Sequence, residues 1–162
     1  MRRALIALIG IIFSTAAGPQ PLEAADKLGG HGTPTPIEVV TAFSNGFSDD
    51  HGKTSIRRWF TPETVWVNEG VSRTAGIEEA IAFLERPDRS PAIAAVHFDM
   101  LAIAADGNRV LTERLDRFVD ADGKEIAAVK VMGIFEVDDG HIVAWRDYFD
   151  VNFGKKISDS KQ

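Results

Sequence analysis

Three short stretches carry the residues whose types and spacing could do chemistry. Arg114 and Asp116 stand two apart in residues 109–119, a run of alternating character. On a strand, Val110, Thr112, Arg114, Asp116 and Phe118 share one face. The Cα atoms of Arg114 and Asp116 then lie roughly 6–7 Å apart, so their side chains can meet. Leu111, Glu113, Leu115, Arg117 and Val119 take the other face, and because both faces carry charges, alternation leaves open which points inward. Such a pair is either a surface ion pair, worth little, or a carboxyl whose proton affinity a cation tunes. Asp147 falls in step with Val143, Trp145 and Phe149. An aspartate in an apolar row is rarely buried without a partner. It is a functional carboxylate or an acid tied to a backbone amide or an arginine. Trp66 and Asn68 share a face of the short run Val65-Trp66-Val67-Asn68. Asn68 offers both a donor and an acceptor and can hold a water, or it can close the strand in a turn.

The elements that must position these residues are readable. Thr35-Pro36-Ile37-Glu38 has the residues of a capping box with proline in the first turn. Val39, Val40, Phe43 and Phe47 follow on one helical face. A second helix is expected over residues 54–60, ending before Pro62. A third is expected over 76–86, with Ile77, Ala80, Ile81 and Leu84 inward and Pro87 as its stop. A short strand at 65–68 lies between them. Alternating segments then run over 94–104, 109–119, 124–137 and 142–149. Asp122-Gly123 and Asp139-Gly140 between such runs are hairpin signals. Helices first and an antiparallel meander afterwards predict an α+β domain, helices packed on one face of the sheet. If the sheet bends strongly, the space beneath the helices becomes a pocket.

Composition narrows the function classes. The chain has 162 residues, 44% of them hydrophobic, which suits one domain with a real core. A formal net charge of -6 argues against nucleic acid and anionic membrane surfaces as partners. Arg2 and Arg3, an apolar run over residues 4–13 and the small residues Ser14, Thr15, Ala16 and Ala17 read as a secretory signal, cleaved after Ala17 or Ala24. The run is too short for stable insertion in a bilayer. The expected organisation is an export signal at 1–24, a flexible linker at 25–34, a catalytic domain at 35–154 and a polar tail at 155–162. The mature protein is expected to be periplasmic or secreted. With no cysteine there is no disulfide or thiolate chemistry. His31, His51, His97 and His141 lack metal-ligand spacing, and Asp120-Ala121-Asp122-Gly123 suits a hairpin turn better than a calcium loop. No nucleophile elbow, phosphate loop or dinucleotide fingerprint is present.

Leu111-Thr112-Glu113-Arg114-Leu115-Asp116 and Ala144-Trp145-Arg146-Asp147-Tyr148-Phe149-Asp150 resemble the limonene-1,2-epoxide hydrolase family. That family carries Thr-Glu-Arg-x-Asp on one strand and Trp-Arg-Asp-Tyr-Phe-Asp on the last. Val131-Met132-Gly133-Ile134-Phe135-Glu136-Val137, followed by Asp-Gly, is similar as well. The likeness is strong from Val110 to Phe153 and looser from Ile37 to Glu69. It implies the cone of the nuclear transport factor 2 superfamily, with a strongly curved mixed or antiparallel sheet and the N-terminal helices over a pocket. It also implies roles: Asp147 as general base toward a water, Asp116 as general acid toward the epoxide oxygen, Arg114 between them, and Asn68 on the water. It implies a homodimer formed through the outer face of the sheet. Where the family has tyrosine two positions before the asparagine, this chain has Trp66. A phenol can accept a hydrogen bond and an indole only donates.

Such chemistry needs neither cofactor nor metal, because the strained ring opens in one step with an acid on one side and a base on the other. The two aspartates must differ in protonation, so at least one must hold its proton well above the usual pKa of about 3.9. Two ionised aspartates, one arginine and one shared proton sum to zero charge, tolerable in an apolar pocket. The expected ligand is a small hydrophobic epoxide, held by Trp66, Leu84, Met100, Met132, Ile134 and Phe149. Competing readings on the same fold are an isomerase or polyketide cyclase of SnoaL or ketosteroid isomerase type and a non-catalytic binder of small hydrophobic ligands. Neither needs a second carboxylate bridged by arginine.

Overall fold

The computed structural model describes residues 32–87 and 90–152. The expected export signal, residues 25–31 of the linker and the polar tail lie outside the described residues. Helix α1 spans Pro36–Asn45 and opens with the expected capping box. The Thr35 hydroxyl accepts from the Glu38 N–H, and the Glu38 carboxylate accepts from the Thr35 N–H at 2.8 Å. Val39, Val40 and Phe43 turn to the core and are fully buried. A 3₁₀ turn at Asp49–Gly52, with Asp50 and His51 both left-handed, leads into α2 at Lys53–Trp59. Helix α3 spans Gly76–Leu84, with Ala80, Ile81 and Leu84 buried and Ile77 packed against the core.

Six strands form one sheet. They are β1 Phe60–Asn68, β2 Ser72–Ala75, β3 Ala95–Asp106, β4 Arg109–Val119, β5 Glu125–Asp138 and β6 His141–Tyr148. The four long segments of the expected meander all exist, within two residues of their predicted ends. The order across the sheet is β2-β1-β6-β5-β4-β3. Every pairing is antiparallel except β1 with β6. That parallel contact makes the sheet mixed and puts the last strand in its interior.

Two features depart from the sequence expectation. The strand foreseen at 65–68 begins at Phe60 and runs past Pro62, with its pairing to β6 interrupted between Phe60 and Val65. Proline lacks the ladder donor, so it is tolerated where pairing lapses. Strand β2 was not foreseen, because four residues of sequence Ser-Arg-Thr-Ala carry no hydrophobic alternation.

The helices pack on one face of this sheet and build an aromatic core. Phe43 of α1 lies 5.2 Å from Trp145 of β6, 5.8 Å from Phe60 of β1 and 6.0 Å from Phe135 of β5, centroid to centroid. On β4, the ambiguity of faces resolves. Val110, Thr112, Arg114 and Asp116 are buried, whereas Arg109, Leu111 and Glu113 are exposed. The deciding factor lies outside β4: the inward row of β5, Val131, Gly133, Phe135 and Val137, continues the same buried surface.

Candidate active site

Arg114 is the centre of the buried polar cluster, with no exposed surface. Its guanidinium makes a fork to Asp116, Nε to Oδ1 at 3.0 Å and Nη2 to Oδ2 at 3.2 Å. Nη2 also donates to Asp147 Oδ2 at 2.9 Å, and Nη1 donates to the Thr112 hydroxyl at 3.3 Å. The second oxygen of Asp147, Oδ1, accepts from the Trp145 indole N–H at 2.7 Å. Phe98 lies over the guanidinium, 4.6 Å from ring centroid to Cζ. A planar, delocalised cation suits such a stacked position far better than a lysine.

Strand order explains how two carboxylates reach one arginine. Asp116 comes from β4 itself, two residues on. Asp147 comes from β6, and β5 lies between. The β5 residue in register with both Thr112 and Asp147 is Gly133. A Cβ there would stand 2.5 Å from Arg114 Nη1, 2.6 Å from Thr112 Oγ1 and 2.9 Å from Asp147 Oδ1. The missing side chain is therefore the gap through which the guanidinium of β4 meets the carboxylate of β6. A glycine inside a strand signals such close approach.

Burial sets the electrostatics. Desolvation pushes the Asp147 carboxyl up to about 6, against the pull of Arg114 and with help from the charge of Asp116. Desolvation also raises the Asp116 pKa, opposed by the arginine and assisted by Asp99. Burial pulls the Arg114 pKa down, but the two carboxylates, Asp147 first, more than offset it, so the arginine is held protonated.

Asn68 stands beside the cluster, on the neighbouring strand. It is the last residue of β1, buried, and paired in parallel register with Asp147. Trp66, two residues earlier, is buried and stacks flat on Trp145 at 4.5 Å. Its indole N–H finds no hydrogen-bond partner among the described residues.

The expected pocket residues divide. Met100 lies directly across from Arg114 on β3 and is half-buried. Leu84, the last residue of α3, is buried in the core, and Phe149, just past β6, is half-buried. Met132 and Ile134 do not belong to the site. They alternate with Gly133 and so point to the opposite face, where Met132 is 52% exposed and Ile134 borders a depression with Leu111 and Arg146. Gly133, Thr112 and Phe98 were not foreseen as site residues. Thr112 left a signal by sharing the strand face of Arg114 and Asp116, and Gly133 as a glycine inside a strand, whereas Phe98 left none.

Residues 34–155 match the family model described as the limonene-1,2-epoxide hydrolase catalytic domain. The chain belongs to this family. It is 36% identical over 115 residues to Epoxide hydrolase EphG of Mycobacterium tuberculosis, a match covering 70% of this chain and 72% of that protein. The structure of an M. tuberculosis LEH-like epoxide hydrolase aligns at 34% identity with a TM-score of 0.57, over 75% of this chain and 87% of that one. A SnoaL-like protein from Jannaschia sp. CCS1 aligns with a TM-score of 0.61 over 75% of this chain and 90% of that one, but at 17% identity. That likeness shows the fold alone, the nuclear transport factor 2-like fold expected from the sequence.

Two outcomes follow from the cluster. Between its ordinary 3.8 and about 6, folded Asp147 holds a proton that the unfolded chain has released. Stability therefore falls as pH rises through that window, and the loss is complete above it. Asp147→Asn should flatten this part of the curve in thermal melts across the window, while placing an amide donor against donors and lowering stability overall. Gly133→Ala should cost about 1–3 kcal/mol in denaturant unfolding through overpacking. It should also reduce any turnover by roughly 100-fold through displaced groups.

Proposed function

We propose that this protein hydrolyses a small hydrophobic epoxide to a vicinal diol by general acid-base catalysis with Asp147, Arg114 and Asp116. The observation that carries this reading is the arginine bridge between two buried carboxylates, one of which has an asparagine beside it. Asp147 is the base: the water-holding amide of Asn68 stands in register with it, whereas Asp116 faces Phe98 and Val129 across its neighbouring strands. Asp147 takes one proton from the water as its oxygen attacks a ring carbon. Asp116 gives a proton to the ring oxygen as the carbon–oxygen bond breaks. Atoms and charge balance, since epoxide and water become diol while one proton passes from Asp116 to the product and another from water to Asp147. Returning that proton to Asp116 resets the site.

Arg114 keeps the cluster's charge near zero while the proton changes place, which makes two carboxylates tolerable in an apolar site. Met100, Leu84, Phe149 and Trp66 supply the apolar contacts. With tryptophan in place of the family's tyrosine, the water keeps two acceptors, Asp147 and Asn68. The exposed row Leu111, Met132 and Tyr148 on the outer sheet face supports a homodimer formed through that face. The charged, apolar and small residues at the N-terminus support export before the domain acts.

The test is diol formation from limonene oxide, cyclohexene oxide and styrene oxide in heavy-oxygen water. Wild type should give diol with one solvent-derived oxygen, and Asp147→Asn and Asp116→Asn should give none above the water blank. The rate should follow a bell-shaped pH profile, falling on acidification as Asp147 becomes protonated and on alkalinisation as Asp116 loses the proton it must donate, with burial raising both groups above the ordinary carboxylate range. Retained turnover in Asp116→Asn would point to single-acid chemistry of the isomerase or cyclase kind. Absence of diol from wild type would point to a binding protein.

A further inference from the structure

The hairpin that ends β1 makes one contact that the reaction above leaves unused. Strands β1 and β2 are joined by Glu69, Gly70 and Val71. The Val71 N–H donates to the Asn68 carbonyl and the Glu69 N–H donates to the Asp147 carbonyl, each at 2.9 Å. The hairpin is thereby tied to β6, and Ser72 stands directly opposite Asn68. The Asn68 side-chain amide, Nδ2, donates to the Ser72 hydroxyl at 3.0 Å.

We propose that Ser72 is a positioning residue for the nucleophilic water, holding the Asn68 side chain so that its carbonyl oxygen, and not its NH₂, faces the space beside Asp147. This rests on the acid-base reaction proposed above. A carboxamide can present either end. Beside a carboxylate the intrinsically favoured end is the NH₂, because a hydrogen bond to an ionised acceptor is the stronger one. That orientation would tie Asn68 to the base and leave the water only one acceptor. In the structure the Ser72 hydroxyl, on β2, accepts from the NH₂ and holds it on the opposite side. With the NH₂ drawn away, two acceptors stand side by side in register, Asn68 Oδ1 and the Asp147 carboxylate. Among the described residues, Oδ1 accepts no hydrogen bond. A water has two hydrogens to give, one to each acceptor, and its lone pair is then left for the ring carbon. The charged groups acting on Asp147 are Arg114 and Asp116 of β4. Neither approaches from the β1 side, so the polarity of the amide is set locally.

Removing the hydroxyl should let the amide turn and donate to Asp147. Ser72→Ala in the full chain, assayed with styrene oxide, should lose roughly 10- to 100-fold in kcat with KM nearly unchanged. The acid limb of its pH profile should move to lower pH, because a new donor favours the ionised base. The near-isosteric pair Ser72→Thr and Ser72→Val separates hydroxyl from packing: the threonine variant should recover activity and the valine variant should not. A second readout is independent of turnover. The Asn68 side-chain amide signals in nitrogen-labelled protein, assigned with Asn68→Asp, should shift in Ser72→Ala and Ser72→Val and return in Ser72→Thr. Unchanged kcat and acid limb in Ser72→Ala, or unmoved amide signals, would overturn the proposal. If wild type turns over no epoxide, the hydrolase reading fails and the amide signals still decide whether Ser72 holds Asn68.

Discussion

A buried arginine cannot shed its charge, and the arrangement of this sheet follows from accommodating one. Arg114 has no exposed surface, so each of its donors needs an acceptor inside the protein. Two carboxylates and the Thr112 hydroxyl accept from four of its five N–H groups, and Phe98 covers the plane of the cation. A buried ion cluster is a poor source of stability, because desolvation offsets most of the attraction. Breaking it by removing one partner is far worse, costing about 3–5 kcal/mol. The cluster is better understood as a device that keeps two carboxyl groups apolar-walled, close together and unequal. Those are the conditions under which one can give a proton while the other takes one.

The strand order makes that device possible. Arg114 and Asp116 sit on β4, and Asp147 sits on β6. The strand between them contributes a glycine at the crossing point, so no side chain separates cation from anion. On the other side of β6, the parallel pairing with β1 brings Asn68 level with Asp147. Across the sheet the order is thus Asn68, Asp147, Arg114 and Asp116, which in the proposed reaction is water-holding amide, base, arginine and acid. The aromatic rings of Phe43, Phe135 and Trp145 fill the core beside it, and the Trp145 indole N–H reaches back to Asp147. One side chain therefore packs the core and orders the carboxylate.

Much of this was legible before the structure. The capping box, the helical face of Val39, Val40 and Phe43 and the Asp139-Gly140 hairpin use local rules, and local rules survive folding. At that hairpin both Asp139 and Gly140 adopt the positive φ its tight turn demands. The inward face of β4 was not legible, because Leu111 and Leu115 balance Val110 and Phe118. Only the neighbouring strands break the tie. The same balance explains why Met132 and Ile134 read as pocket residues. The outer face of the sheet is itself partly apolar, so hydrophobicity does not distinguish the faces of β5. Strand β2 and the left-handed turn at Asp50 and His51 left no pattern to read. Gly133 left one, a glycine amid strand formers, but its meaning required knowing which groups converge on it. The likeness of the two strand motifs to one family supplied the pairing of Asp116 with Asp147, which spacing alone does not give.

One arginine joins two buried carboxyl groups, and the pair should titrate as a single unit. The most direct measurement is a carbon NMR titration of protein labelled at the aspartate carboxyl carbons, with Asp116 and Asp147 assigned by substitution. Asp147 should titrate near 6, and the Asp116 signal should respond over the same pH range. Two independent transitions near the ordinary value of about 3.9 would contradict it. They would mean that the carboxyl groups are solvated and uncoupled, and that neither holds a proton where an acid is needed.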